Sequence, residues 1–219
     1  MKVKDMMSTD VLTINLDTNI NEAFRIMKEK KVRRLPVMDR GKLVGIITLS
    51  DLNRAAPSAA TSLSIHELNY LLARTKVKDI FPANRKVVTV SPENYIETAA
   101  KLMLQHRISS LPVMDGEKLV GIITETDLFR ALVDILGVKR PHTRIDTLIP
   151  EGPGSLAEIT GLMASRGINI INTVVYYDAG LDKYKAILRI EELDYEPVVE
   201  ALRAKGFEIE SVIVSDQVE

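Results

Sequence analysis

Cysteine is absent from this chain of 219 residues, and so is a marked excess of charge of one sign. Without cysteine the chain can form no disulfide bond, no zinc site built on thiolates and no thiol nucleophile. The formal net charge is −1, whereas proteins that bind nucleic acids or anionic membranes normally carry a basic excess. These absences predict a protein with neither kind of partner.

Long apolar runs are also missing. No stretch approaches the roughly 20 apolar residues that a helix needs to span a bilayer. The start, MKVKDMMSTD, lacks the apolar segment of a signal peptide. With 46% apolar residues the chain nevertheless has ample material for packed cores. We therefore predict a folded, cytoplasmic protein.

The motifs that accompany catalysis are missing as well. The sequence has no phosphate loop G-x-x-x-x-G-K-[ST], no H-E-x-x-H and no G-x-S-x-G. The histidines, His66, His106 and His142, are isolated from one another and lack the spacing of metal ligands. A G-x-G-x-x-A match begins at Gly152, but about 60 residues follow it, too few for a doubly wound sheet. We predict no catalytic activity, no metal site and no catalytic cofactor.

The most prominent feature of the sequence is an internal repeat. The segment from Leu35 to Ala55, LPVMDRGKLVGIITLSDLNRA, recurs 76 positions later, from Leu111 to Ala131, as LPVMDGEKLVGIITETDLFRA. A duplicated unit usually packs against its copy and carries any site in pairs. We number the copies in chain order and predict residues 1–56 for the first copy, 77–138 for the second, and an insertion at 57–76 between them.

Each copy is predicted to contain a strand, a helix, a hairpin of two strands and a second helix. The first of these helices begins at Asn19 in the first copy and at a Ser-Pro pair, Ser91, in the second. Two short apolar runs on either side of a polar turn at 39–42 indicate the hairpin. In the insertion, Ser64 and Glu67 form a capping-box pattern that predicts an extra amphipathic helix.

After Gly137 the pattern changes to that of a separate domain, predicted at 142–219. Strands are predicted at 143–149, 168–176, 184–190 and 207–214, and helices at 155–166 and 197–205. The order βαββαβ is that of a ferredoxin-like sandwich, in which two helices cover one face of a sheet. The fold class predicted for the whole chain is therefore α+β.

Each copy resembles a CBS domain, and the pair resembles the tandem arrangement called a Bateman module. The resemblance rests on the Leu-Pro-Val-Met-Asp strand, the Gly-Ile-Ile-Thr strand, and the aspartate three residues after that threonine, which both copies share. The segment IPEGPGSLAEITGLMASRGINI, at 149–170, resembles an ACT domain. Two CBS units followed by an ACT-like unit resemble the acetoin-utilisation protein B family.

The CBS resemblance implies that an adenine nucleotide, of the AMP, ADP or ATP type, binds as a regulatory ligand in the cleft between the copies. It assigns Ile46 and Ile122 to the adenine pocket, Thr48 and Thr124 to the phosphates, Asp51 and Asp127 to the ribose, and Thr13 and Thr89 to the base. The residues agree with this, because helix amides, a hydroxyl and a carboxylate converge where strand meets helix. The alternative is that each aspartate only caps its helix, which stabilises by roughly 0.5 to 2 kcal/mol without any ligand.

The copies differ just before the Leu-Pro-Val strand, where the first has Arg33 and Arg34 and the second has Ser109 and Ser110. In related modules these positions face the phosphates. Our hypothesis is that the first site offers guanidinium donors and takes the more phosphorylated nucleotide, while the second offers neutral hydroxyls. The alternative is that the arginines are a solvated basic pair that continues the run at 28–31.

The ACT resemblance implies that an amino acid or another small effector binds at the loop of Glu151, Gly152 and Gly154 and at Asn169, usually across a dimer interface. Glycines let the backbone approach a ligand closely, and loop amides at a helix start suit a carboxylate. The family more often has aspartate where this chain has Glu151. The alternative is that the domain serves only to dimerise.

Two functions of different classes remain. The first is a homodimeric regulatory module in which a nucleotide bound between the copies shifts the arrangement of the dimer, while the ACT-like unit adds a second effector or an interface. The second is an interaction scaffold that docks a partner enzyme and has no physiological small ligand. A role in acetoin metabolism is implied by the family resemblance alone.

Overall fold

The structure is a computed structural model, and it describes residues 1–55, 74–81 and 87–216. The helix predicted in the insertion, with Ser64 and Glu67, lies outside the described residues. The chain divides into two compact units, Met1–Leu128 and Phe129–Glu219. The domain boundaries inferred from the sequence, with a linker near 138–142, stay a prediction.

The N-terminal unit holds the first copy and most of the second, and it mixes helices with strands. Its elements are α1 (Val3–Met6), β1 (Ile14–Asn15), α2 (Ile20–Glu29), β2 (Arg34–Asp39), β3 (Lys42–Thr48), α3 (Leu49–Ala55), α4 (Val77–Ile80), α5 (Ile96–His106), β4 (Ser110–Asp115) and β5 (Lys118–Thr124). Helix α6 (Glu125–Leu136) begins in this unit and ends in the next. The hairpins predicted from the apolar runs are confirmed, because β2 pairs with β3 and β4 with β5, both antiparallel.

The two copies share one hydrogen-bonding register. A bulge falls between Val37 and Met38 in the first copy and at the equivalent place, between Val113 and Met114, in the second. The parallel pairing of Ile14 with Val37 recurs as an isolated bridge from Val90 to Val113, 76 positions later. The duplication in sequence is therefore a duplication of backbone geometry.

The predicted start of one helix is confirmed and that of its counterpart is wrong. Asn19 caps α2 by accepting a hydrogen bond from the amide of Asn21, at 2.8 Å. In the second copy the helix begins at Ile96, and the amide of Asn94 donates to the carbonyl of Ser91 at 3.1 Å. The Ser-Pro pair thus initiates a turn ahead of the helix, because the Ser91 hydroxyl accepts from the nearby amide of Glu93.

A short segment of each copy crosses over to pack on the other copy. The sequence Lys-Val-Lys-Asp occurs at 2–5, where it contributes to α1, and at 76–79, where it contributes to α4. The amide of Val3 donates to Asn94 in the second copy, at 2.8 Å, and the amide of Val77 donates to Thr18 in the first, also at 2.8 Å. Val77 is fully buried in the core cluster of the first copy. The core of each copy is therefore completed by a segment of the other copy.

Two glycines in the hairpins make room for these crossing segments. A Cβ at Gly45 in β3 would overlap the ring of Phe81, and one at Gly121 in β5 would lie 2.5 Å from the sulfur of Met7. Both glycines are buried and 76 positions apart. Since no side chain fits at either position without displacing a neighbour, glycine lets the crossing segments lie against the hairpins.

The C-terminal unit contains a four-stranded sheet after the end of α6. Its elements are β6 (His142–Ile149), α7 (Ser155–Ser165), β7 (Ile170–Asp178), β8 (Lys183–Ile190), α8 (Glu196–Ala204) and β9 (Glu208–Ser215), in the predicted order and within about two residues of the predicted bounds. The strands lie in the order β7-β8-β6-β9, and every neighbouring pair is antiparallel. One apolar cluster joins β6 and β8 to both helices, with Ile159, Leu188 and Leu202 fully buried.

Candidate functional site

The Thr-x-x-Asp motif has the same geometry in both copies. In the first, the amide and the hydroxyl of Thr48 both donate to Oδ2 of Asp51, at 2.8 and 2.6 Å. In the second, Thr124 makes the same contacts with Asp127, at 2.9 and 2.7 Å. The amide of each aspartate donates back to the threonine hydroxyl. The motif is thus a reciprocal cap at the start of α3 and of α6.

This cap consists of hydrogen bonds between protein groups. It gives both aspartates a structural role and commits the hydroxyl proton of each threonine to its own carboxylate. The copies differ in exposure, because the side chain of Asp127 is buried while that of Asp51 is partly exposed. The capping role and a ligand role are compatible, since a carboxylate has two oxygens that can each accept hydrogen bonds.

Two cavities lie between the copies. The smaller, of about 230 Å³, is lined by Arg34, Gly45, Ile46, Thr48, Val87, Val88, Arg107, Ile108, Ser109 and Ser110. The larger, of about 580 Å³, is lined by Ser8, Asp10, Val11, Leu12, Lys31, Val32, Arg33, Arg34, Pro36, Ser109, Ile122, Thr124, Glu125, Thr126 and Asp127. Each is concave and mixes apolar walls with a few polar groups, as small-molecule sites generally do.

The two cavities are formed by equivalent segments of the two copies. Ile46 and Thr48 in the smaller occupy the positions of Ile122 and Thr124 in the larger, 76 residues on. In each cavity the end of one copy's hairpin faces the chain that precedes the first strand of the other copy, at 87–88 or 11–12. It also faces the residues that lead into the other copy's hairpin. Each site is therefore assembled from both copies.

The structure distributes the predicted nucleotide-binding residues over these cavities. Ile46, Thr48 and Ser110 line the smaller, Arg33, Ile122, Thr124 and Asp127 line the larger, and Arg34 and Ser109 line both. Asp51, Thr13 and Thr89 are not among the lining residues; Asp51 is hydrogen-bonded to Thr48, which lines the smaller cavity, and the two threonines are exposed. The hypothesis assigns Arg33 to the site of the first copy, whereas Arg33 lines the cavity that contains Thr124 of the second copy. The reason is that each hairpin end faces the other copy.

Arg34 bridges the copies at the wall between the cavities. Its guanidinium donates from Nη1 to the carbonyl oxygen of Ser109 and from Nη2 to the Ser109 hydroxyl, both at 2.7 Å. Burial lowers the pKa of the Arg34 guanidinium, and although the carboxylate of Glu125 raises it, the charge of Arg33 lowers it further. The alternative of a solvated basic pair therefore fits Arg33, which is exposed, better than Arg34, which is partly buried.

Sequence reasoning missed several residues that line the cavities. Lys31 and Arg107 are 76 positions apart and place one further cation in the larger and in the smaller cavity, respectively. The apolar pairs at 11–12 and 87–88 are also related by the repeat. Aligning the copies beyond the conserved segment would have found both sets, because each occupies equivalent positions.

In the C-terminal unit, the predicted effector residues lie on an exposed loop. Gly152 and Gly154 have φ angles of 140° and 108°, a region that favours glycine. Glu151 lines a cavity of about 260 Å³ with Asp182, Lys183, Tyr184 and Glu208 among others. Gly152, Gly154 and Asn169 are exposed and are not among the residues that line it. The structure thus brings one of the four to a cavity.

Within 1–55, 74–81 and 87–216, no group of three or more histidine, cysteine, aspartate or glutamate side chains could hold a metal ion. No helix among these residues has the length and apolar character to cross a membrane.

Comparison with known proteins places the two copies in a family. A family model described as CBS domain matches residues 3–58 and 77–134. CBS domain-containing protein DDB_G0289609 of Dictyostelium discoideum is 36% identical over 143 residues, which cover 64% of this chain and 97% of that protein. The family model covers the two copies and ends ahead of β6.

Solved structures with the same fold include one with adenosyl ligands. The CBS domain pair of protein MJ0100, in complex with 5′-methylthioadenosine and S-adenosyl-L-methionine, aligns with a TM-score of 0.50 and 29% identity, over 61% of this chain and 97% of that one. A Vibrio cholerae protein assigned to acetoin utilization, AcuB, aligns with a TM-score of 0.51 and 29% identity, over 63% of this chain and 94% of that one.

Proposed function

Since the chain belongs to the CBS domain family, we propose that it is a regulatory protein that binds adenine nucleotides or related adenosyl compounds in the two cavities between its copies. The observation that carries the proposal is the paired construction of these cavities. Each contains an isoleucine, a threonine and basic side chains, contributed by both copies. A ligand that touches both copies binds one arrangement of them better than another, which is what regulation by a ligand requires.

The larger cavity has groups suited to each part of a nucleotide. Ile122 and Leu12 offer apolar surface to a base, and the carboxylate of Asp127 can accept hydrogen bonds from ribose hydroxyls. Arg33 and Lys31 offer positive charge to a phosphate. The complex of the MJ0100 domain pair with two adenosyl compounds supports the adenosyl class as the ligand.

We propose in addition that the C-terminal unit is an ACT-like domain that dimerises or binds a small effector such as an amino acid. The strand order β7-β8-β6-β9 with two helices on one apolar cluster is the arrangement of a ferredoxin-like sandwich. We further infer a non-catalytic, cytoplasmic homodimer that acts on a partner protein. The relative from Vibrio cholerae supports acetoin utilization as the process.

A thermal-shift screen of the full chain tests the proposal. Adenosine, AMP, ADP, ATP, 5′-methylthioadenosine and S-adenosylmethionine are tested, and at 100 times its dissociation constant a ligand stabilises by about 2.7 kcal/mol. We expect Asp127→Asn to reduce the shift, because the carboxylate charge is lost. The matched control is Asp115→Asn, since Asp115 is exposed at the hairpin turn and lines neither cavity.

The absence of a shift with all six compounds would favour the other function, an interaction scaffold without a small ligand. Equal shifts in Asp127→Asn and the unaltered chain would leave Asp127 with its capping role only. Sedimentation velocity of the same samples measures the oligomeric state, and a monomer at every concentration would refute the proposed homodimer.

A further inference from the structure

One hydrogen-bonded pair forms part of the wall of both cavities. Among the described residues, Arg34 and Ser109 are the two that line the smaller and the larger cavity alike. Arg34 comes from the first copy and Ser109 from the second, and two hydrogen bonds of 2.7 Å join them. Any group that attracts the Arg34 guanidinium into one cavity therefore changes a wall of the other.

Arg34 has no ion-pair partner among the described residues, although the more distant carboxylate of Glu125 acts to raise its pKa. The hydrogen bonds of Arg34 go to two uncharged acceptors on Ser109. The side chain is partly buried, and burial is the main reason that its pKa is lowered. A partly buried cation whose hydrogen-bond partners are uncharged favours an anion, because a charge-assisted hydrogen bond is stronger than a neutral one.

We propose that Arg34 couples the two cavities, so that an anionic adenosyl ligand in one weakens the binding of a second anionic ligand in the other, while uncharged nucleosides bind both independently. This inference rests on the proposed nucleotide binding and adds its regulation. The effect has two physical sources. One guanidinium charge serves two phosphates, and a phosphate that draws Arg34 away leaves Ser109 without its donors in the neighbouring cavity.

The other charged groups allow this coupling to be separated from ordinary binding. The larger cavity has Arg33 and Lys31 as its own cations and Asp10, Glu125 and Asp127 as its carboxylates. The smaller has Arg107 as its own cation, and no carboxylate is among the described residues that line it. Substitution of Arg33 or Arg107 should change one cavity, whereas substitution of Arg34 should change both.

The test fills one cavity at a time with an uncharged side chain. Val11 lines the larger cavity and Val87 lines the smaller at the equivalent position, so Val11→Trp and Val87→Trp form a matched pair. Isothermal titration calorimetry of the full chain then gives the affinity of the cavity that remains open. In the unaltered chain, one cavity binds AMP first and the other binds it second. We expect the AMP affinity of this second cavity to rise at least about fivefold when the first cavity is filled by tryptophan, which is the lower end of typical coupling.

Adenosine and Arg34 provide the controls. Filling one cavity should leave the adenosine affinity of the other unchanged, because no phosphate competes for Arg34. In the Arg34→Met background, filling should leave the AMP affinity unchanged as well, whereas the Arg33→Met and Arg107→Met backgrounds should retain the gain. If the tryptophan variants fail to fold, Val11→Phe and Val87→Phe apply the same test with a smaller side chain.

The outcomes separate the two proposals. If AMP and adenosine both bind but filling one cavity leaves the AMP affinity of the other unchanged, the coupling is refuted and the nucleotide-binding function stands. A gain of equal size for adenosine, or one that persists in Arg34→Met, also refutes the role of Arg34. If neither compound binds the unaltered chain, both proposals fail together.

Discussion

The two copies have nearly the same backbone geometry, but they differ at several of the residues that line their cavities. The caps formed by Thr48 and by Thr124 agree to within about 0.1 Å in both hydrogen bonds, and the hairpins share a register and a bulge. By contrast, Arg33 and Arg34 in the first copy are replaced by serines in the second. The shared positions thus give the two copies one backbone geometry, while the differing ones give their cavities different charged groups.

The largest expected effect comes from matched substitutions in the two cores. Leu35 and Leu111 are equivalent and fully buried. We expect Leu35→Ala and Leu111→Ala each to lower the free energy of unfolding by about 2 to 5 kcal/mol, because each removes packed methyl groups and leaves a cavity. Urea unfolding followed by circular dichroism measures the loss.

The same unfolding curves also show whether the copies are one cooperative structure. Because each core is completed by a segment from the other copy, we expect either substitution to shift a single transition of the N-terminal unit. A curve in which only the altered copy unfolds at lower urea would contradict the inference that each core is completed by a segment of the other copy.

The next effect compares the two glycines that contact the crossing segments. We expect Gly45→Ala to destabilise by about 2 kcal/mol, since its Cβ would overlap the stiff ring of Phe81. Gly121→Ala should destabilise less, by about 1 kcal/mol, because the flexible side chain of Met7 can move aside and the carbonyl oxygen of Ser8, at 3.1 Å, needs to give only slightly. Chemical denaturation measures both. As a control, Gly161→Ala in α7 has free space around its Cβ and should stabilise by up to about 1 kcal/mol.

The caps allow a finer comparison. Asp51→Ala and Asp127→Ala should each lower the free energy of unfolding by about 1 kcal/mol, because each removes the acceptor of two hydrogen bonds at a helix start. The control is Ser50→Ala, an exposed position in the first turn of α3, for which we expect a change within about 0.5 kcal/mol. If nucleotide affinity falls in Asp127→Ala while stability does not, the cap would be the lesser role of this residue.

Much of the fold could be predicted from the sequence because its signals are local. The repeat, the hairpins and the elements of the C-terminal unit follow from apolar periodicity and turn residues, and they recur in the structure. The start of α5 was predicted too early, because a Ser-Pro pair caps an isolated turn as readily as a helix. Such errors arise where two local structures satisfy the same hydrogen bonds.

The set of residues that lines each cavity could not be predicted, because it depends on which segments of the two copies lie against each other. The equivalence of Arg33 and Ser109 is visible in the sequence, but the proximity of Arg33 to Thr124 follows from the packing of the copies. The crossing segments did leave a signal, since Lys-Val-Lys-Asp recurs at an offset of 74 positions. That offset differs from the 76 of the main repeat, so an alignment without gaps passes over it.

The smallest expected effect concerns the ion pairs that hold the crossing segments. Hydrogen bonds from Lys2 and Lys4 lower the pKa of Glu93 from its ordinary 4.5 to about 2. At the equivalent position in the first copy, hydrogen bonds from Lys78 and Lys76 lower the pKa of Asp17. A pKa lowered by folding means that the ionised carboxylate stabilises the folded state. This contribution is fully present above the unfolded pKa and disappears as the pH falls through the folded one.

We therefore expect Glu93→Gln to flatten the pH dependence of the free energy of unfolding between about pH 4.5 and pH 2. Near pH 7 the variant should lack the whole contribution of the ion pair, and its slope with pH should equal that of the unaltered chain. Asp17→Asn should act in the same direction in the first copy. Both effects should be small and should shrink in high salt, because the pairs are exposed to solvent. Urea unfolding at a series of pH values measures the slopes. Parallel curves for Glu93→Gln and the unaltered chain would show that this ion pair does not hold the crossing segment in place.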